Sequence, residues 1–112
     1  MKRGTTNPIK KALIVELERS KRPVWKVIAE KLRKPRRKSI KVNLWKVNKL
    51  TSDGDTVIIP GKVLGMGEVE HNVTVAAFSF SESARKKLGK KAITIAELLK
   101  KNPEGKNIKI IQ

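Results

Sequence analysis

The residues with the widest chemical range lie between positions 53 and 71. Gly61-Lys62-Val63-Leu64-Gly65-Met66-Gly67 combines glycines with a lysine, as phosphate-cradling loops do. The order fits neither common nucleotide-binding pattern, because the lysine sits at the wrong end of the run and no helical pattern follows. Gly65 and Gly67 instead suit positive backbone angles in a tight strand connection. Glycines beside a lysine also let a loop backbone lie close to an RNA phosphate. His71 is the only histidine. Glu68 and Glu70 are near it in sequence, but adjacent side chains point apart in an extended chain. His71 therefore reads as a solvated loop residue rather than a general base. Asp53 and Asp55 straddle Gly54, where turn chemistry accounts for both, and the closing glutamate of a calcium loop is missing. Cysteine is absent, which removes thiol nucleophiles, thiolate metal sites and disulfides. The expectation is a non-enzyme with no cofactor, no metal and no small-molecule substrate.

What the chain does carry in quantity is positive charge. Its 112 residues hold 27 Lys+Arg against 10 Asp+Glu, a formal net charge of +17. Such a surplus repels itself and disfavours the compact state until an acidic partner neutralises it. The distribution is lopsided: residues 1–50 hold 17 bases and 3 acids, residues 51–112 hold 10 and 7. Six cations fall in the eight residues from Lys31 to Lys38, far more than a helix end needs. Glu30 is the one acid between residues 19 and 50, so local partners are lacking and phosphate contact is the simpler reading of Arg33-Lys34-Pro35-Arg36-Arg37-Lys38. Arg85-Lys86-Lys87 and Lys90-Lys91 form a weaker second patch. No apolar run approaches the ~18 residues of a membrane span, and no signal core follows the basic N-terminus. A cytoplasmic, nucleic-acid-binding protein without a membrane partner is expected.

These side chains need positioning elements. Pro8 opens a helix on which Ile9, Leu13 and Leu17 share a stripe, with Asn7 as its cap. A second helix carries Val24, Ile28 and Leu32 on one stripe, with Trp25 and Ala29 beside it, and Pro35 stops it. From Ser39 the period changes to two: Ile40, Val42 and Leu44 alternate with Lys41, Asn43 and Trp45, as in a half-buried strand. Ser52-Asp53-Gly54-Asp55 is a turn, Thr56–Ile59 an inner strand, and Pro60-Gly61 a break. Val73–Phe78 is another strand. Ser79 and Glu82 have capping-box spacing, with Ser81 an alternative cap, ahead of a helix ending near Leu88 and Gly89. Thr94 and Glu97 repeat that spacing before a last helix. Residues 107–111 close the chain as a strand. With four aromatic residues in all, Trp25 and Trp45 are expected in the core rather than on an RNA-stacking platform.

The order of these motifs is familiar. Thr6-Asn7-Pro8, Lys34-Pro35-Arg36-Arg37, Val42-Asn43-Leu44, Val57-Ile58-Ile59-Pro60-Gly61-Lys62-Val63-Leu64-Gly65-x-Gly67, Val73-Thr74-Val75-Ala76-Ala77, Phe80-Ser81-x-x-Ala84 and Asn102-Pro103-Glu104-Gly105 follow one another. The chain resembles the archaeal and eukaryotic eighteen-e family of large-subunit ribosomal proteins, related to bacterial large-subunit protein fifteen. The resemblance implies an α/β fold: an irregular strand–strand–helix core over residues 39–112, preceded by a basic helical N-terminal part over residues 1–38. It implies a structural role on large-subunit rRNA beside neighbouring ribosomal proteins. By position, Arg36, Arg37 and Lys62 match basic positions of the family. The full set of candidate RNA-contacting residues is Lys2, Arg3, Lys21, Arg22, Arg33, Lys34, Arg36, Arg37, Lys38, Lys41, Lys62, Gly65, Gly67, Lys86 and Lys90. The chain departs from the family at Gly89-Lys90, where relatives often carry two glycines. A DNA-compacting architectural protein is the alternative reading. It shares the charge but lacks an apolar wedge or a helix-turn-helix.

Overall fold

A computed structural model describes residues 8–20, 22–33 and 40–112. Its elements are α1 (Pro8–Glu18), α2 (Pro23–Leu32), β1 (Ile40–Asn43), α3 (Leu44–Leu50), β2 (Asp55–Leu64), β3 (Val73–Phe80), α4 (Glu82–Leu88), β4 (Ala92–Thr94), α5 (Ile95–Lys101) and β5 (Ile108–Ile110), with a 3-10 turn at Gly89–Lys91. The class is α/β, as the sequence implies.

β2 is the hub of a parallel sheet. β3 pairs along one side of it. On the other side β5 pairs with Thr56, Val57 and Ile58, and β1 pairs with Gly61 to Leu64, so β1 and β5 lie end to end. β4 pairs with β3 on the far side. The β-branched run Val57-Ile58-Ile59 is buried on both faces, as inner parallel strands are. On one face Val57, Ile59, Val63, Val75 and Ala77 pack with Leu44 and Val47 of α3, Ala84 and Leu88 of α4, and Ile111. On the other, Ile58 and Ala76 pack with Ile14 and Leu17 of α1, Trp25, Ile28, Ala29 and Leu32 of α2, and Ile95 and Leu98 of α5. Helices thus cover both faces of the sheet, each by the apolar stripe its 3.6-residue period creates.

Several boundaries differ from the sequence expectation. The alternation from Ile40 forms a strand only as far as Asn43, and Leu44 starts a helix. Leu44 points inward in either geometry, but the next buried residue is Val47, three on, which only a helix turns to the same side. The helix rotates Trp45 away from Leu44, leaving it 49% exposed rather than in the core. β2 runs through Pro60-Gly61 instead of breaking there. The register with β3 slips between Ile59 and Lys62, a bulge that tolerates the proline's missing donor. A Cβ at Gly61 would collide with the Ile40 backbone carbonyl. Because β3 continues to Phe80, Ser79 is in the strand and Ser81 is the cap of α4. Its Oγ accepts from the Ala84 N–H at 3.2 Å. Thr94 and Glu97 do form the capping box of α5, with N–H···O distances of 3.0 and 3.1 Å. Gly89 ends α4 at φ +55°, while Lys90 has no positive φ, so the second family position accepts a side chain here.

The connection from β2 to β3 has little slack. It spans residues 65–72 and must return from the carboxyl end of β2 to the amino end of β3. At ~3.3 Å per strand residue that is roughly 26 Å, and nine peptide steps reach only ~30–32 Å when fully extended. The segment therefore runs nearly straight, tied to neighbours along its length. Met66 accepts from the Trp45 N–H at 3.0 Å and donates its own N–H to Asn43 Oδ1 at 3.3 Å. The Glu70 N–H donates to Asn48 Oδ1 at 2.9 Å, and the Asn72 N–H to Asp53 Oδ1 at 2.8 Å. His71, expected in solvent, is half-buried, with Nε2 2.6 Å from Thr51 Oγ1.

The Asp53–Asp55 turn is built as its residue types suggest. Asp55 Oδ2 receives Lys109 Nζ at 2.9 Å and the Ser52 N–H at 2.8 Å. Those two donors, the lysine foremost, hold the Asp55 carboxyl below its ordinary value. The folded state thus favours the carboxylate. Its contribution to stability is complete above the ordinary carboxylate pKa of about 3.9 and is lost as pH falls through the depressed folded value. Asp55→Asn is expected to flatten the fall in melting temperature on acidification below about pH 4; identical acid slopes for the two chains would contradict this.

Candidate nucleic-acid interface

Lys41 and Lys62 are register partners on adjacent strands. Val42 and Val63, the next residues along, are buried on the α3–α4 side of the sheet, so alternation turns both lysines to the opposite side. Both are exposed, and neither has an ion-pair partner among the described residues. Strands lie only ~4.8 Å apart, and like charges directly opposite each other are unfavourable. An anion between the two ammonium groups converts that repulsion into attraction. A third cation approaches the same side. Lys10 Nζ lies 5.8 Å from the ring centroid of Phe78, which packs against the α1–α2 cluster. Phe78 is next to Ser79, the β3 register partner of Lys62. Partial burial pushes the Lys10 pKa down. Helical periodicity alone does not mark Lys10, because its aromatic partner is 68 residues away in sequence.

Other candidate cations have acidic partners that the local sequence hides. Arg33, just after α2, is paired with Glu18 of α1. Arg22, just before α2, reaches Glu104 at 3.9 Å. Lys86 lies 3.7 Å from Glu82 one helical turn back. These pairs are largely exposed and weak. Lys90 is exposed in the 3-10 turn. Lys2, Arg3, Lys21, Lys34, Arg36, Arg37 and Lys38 lie outside the described residues.

Gly65 and Gly67 face inward, not toward the Lys41–Lys62 pair. Gly65 has no positive φ; it is needed because a Cβ there would collide with the Ser83 side chain. Gly67 does adopt φ +96°, and a Cβ would lie 2.6 Å from Trp45 Cβ. The carbonyls of both glycines accept from Lys87 Nζ at 2.9 Å. Lys87 therefore ties the strap to α4, and it also pairs with Glu68 at 3.0 Å.

Among the described residues no group of three or more His, Asp or Glu side chains is placed to hold a metal ion, and no helix is long and apolar enough to cross a membrane. The fold and its cations define a small α/β protein with a positively charged sheet edge. The sequence profile of the family that unites ribosomal proteins 50S-L15 and 50S-L18e with their 60S counterpart matches residues 20–95. The chain is 46% identical to the large ribosomal subunit protein eL18 of Methanococcus maripaludis, covering 96% of this chain and 95% of the relative. It is 47% identical to the protein of that name from Nanoarchaeum equitans, with 96% and 95% covered, and 42% identical to that of Sulfurisphaera tokodaii, with 97% and 95% covered. The chain belongs to this ribosomal protein family.

Proposed function

We propose that this chain is a structural, non-enzymatic constituent of the large ribosomal subunit, in the cytoplasm, binding large-subunit rRNA through a basic surface. The observation that carries the reading is the Lys41–Lys62 pair: two like charges held side by side without an acid. Residues 1–38 supply most of the remaining cations and residues 39–112 the rigid core. Structured RNA is read mainly by backbone, 2′-hydroxyl and shape, which suits a surface of lysine and arginine without a catalytic site. Arg36, Arg37, Lys38 and their neighbours extend the surface toward β1, and Arg22, Arg33, Lys86 and Lys90 serve as its margins.

The test is binding to large-subunit rRNA fragments across a salt series, with duplex DNA as competitor. If ~6–10 phosphates are neutralised, affinity falls by about 10³-fold or more between roughly 50 and 200 mM salt. Lys41→Ala with Lys62→Ala is expected to lower the slope of log affinity against log salt by about 2. A salt-independent affinity, or equal affinity for duplex DNA, would overturn the reading. Arg36→Ala with Arg37→Ala is expected to weaken incorporation into large subunits while leaving the circular dichroism spectrum unchanged. Loss of that spectrum would make the run structural instead.

A further inference from the structure

The strap and α3 together present a surface unlike the rest of the molecule. Trp45 is 49% exposed and Met66 is 67% exposed. Their backbones are joined by the Trp45 N–H to Met66 carbonyl bond of 3.0 Å. Neither side chain is loosely held. Gly67 packs its backbone on Trp45, and Lys87 fixes the carbonyls on both sides of Met66. An exposed indole and thioether on a tethered backbone form a rigid apolar projection, of the residue types enriched at protein interfaces.

The charge around it has the wrong sign for phosphate. Residues 51–72 contain four acids and a single lysine, a net −3 within a chain of +17. That lysine, Lys62, faces the other side of the sheet. Glu68 and Glu70 are exposed on the strap itself, and Asp53 at its far end. Of the nearby cations, Lys87 is engaged by Glu68 and the two carbonyls, and Lys46 Nζ donates to the Gln112 carbonyl oxygen at 2.7 Å. Lys49 is exposed without an ion-pair partner among the described residues. The surface is thus apolar at its centre and acidic along its rim.

We infer that the Trp45–Met66 surface docks a neighbouring protein, through a segment with apolar side chains flanked by lysine or arginine, while the opposite side of the sheet meets RNA. The inference rests on the ribosomal reading above. The apolar side chains of the partner cover the indole and thioether, and its cations meet Glu68 and Glu70. Such complementarity also disfavours RNA at this surface, because phosphates approaching Glu68 and Glu70 are repelled.

The test places the photo-crosslinker p-benzoylphenylalanine at position 66 of the full chain, a site already exposed and apolar. The chain is then assembled into large subunits and irradiated. The expected product is a crosslink to a Lys- or Arg-rich segment of another protein. A companion variant, Trp45→Ser with Met66→Ser, should bind protein-free large-subunit rRNA within about twofold of the parent and be lost roughly tenfold faster from assembled subunits under a salt wash. Crosslinks to rRNA, crosslinks only to a second copy of this chain, or no crosslink from an incorporated chain would each overturn the docking inference alone. Loss of binding to protein-free rRNA by the serine variant, with its circular dichroism intact, would do the same. Failure of the parent chain to enter large subunits would instead overturn the ribosomal reading, and this inference with it.

Discussion

Trp25→Ala is expected to cost about 3–5 kcal/mol, enough to leave the chain near its unfolding threshold. Trp25 is the largest fully buried side chain, at 0% exposure, between α1, α5 and the sheet. Its Nε1–H donates to the Pro103 carbonyl at 2.9 Å, joining α2 to the α5–β5 connection across 78 residues of sequence. Truncation leaves both a cavity and an orphaned carbonyl. Trp25→Phe separates the two effects: it keeps most of the volume and loses the donor, for about 1–3 kcal/mol. Urea unfolding followed by far-ultraviolet circular dichroism measures both. A loss below about 1 kcal/mol for Trp25→Ala would mean that the N-terminal helices contribute little to the cooperative fold. The charge surplus sharpens the effect, because a chain of +17 carries self-repulsion that apolar packing must offset.

The second large effect is expected at Gly67. Gly67→Ala imposes two penalties that do not share a remedy. At φ +96° an L side chain is strained, by about 1–2 kcal/mol. The added carbon would also lie 2.6 to 2.8 Å from the Cβ, N and Cα of Trp45. Two of those are backbone atoms at the first turn of α3, and the Trp45 N–H is already bonded to Met66. Relief requires the strap to leave α3. Overpacking of this kind adds about 1–3 kcal/mol, so a total near 2–5 kcal/mol is expected in the same urea assay. Gly54→Ala is the internal control: φ is +90° there too, yet nothing lies within 4 Å of its Cβ. It should show the conformational penalty without the collision. Equal losses at the two positions would refute the packing argument at Gly67.

The helices at either end of the chain were legible because their apolar spacing and punctuation agree. Pro23 opens α2, and the Thr94–Glu97 pair caps α5 at the spacing its residue types require. The inner strands were legible as β-branched runs. What local pattern could not resolve were positions where two geometries bury the same residue. Leu44 turns inward as the end of a strand or the start of a helix, so the fate of Trp45 depended on a choice that Ile40–Leu44 leaves open. Pro60-Gly61 punctuates most chains, and only the pairing of β1 and β3 against β2 carries the strand past it. In the candidate site, the cationic character was plain from composition. The pairing of Lys41 with Lys62, the partners of Arg22 and Arg33, and the Lys10–Phe78 contact all join residues distant in sequence, and no window along the chain contains them. The glycines illustrate the same limit. Positive φ was the natural reading for both Gly65 and Gly67, but Gly65 is small because Ser83 comes close.

The strap between β2 and β3 also bears on how lengths can vary in this protein. A connection with only a few ångströms to spare cannot lose residues without pulling β2 and β3 out of register, whereas added residues face only the slow, logarithmic growth of loop entropy. Insertions should therefore be tolerated near Met66 and deletions should not. The tautness also means that the conformational freedom of Met66 and its neighbours is surrendered when the sheet forms. A partner that later covers this surface meets a backbone already ordered, and the entropy it must remove on contact is confined to a few side chains.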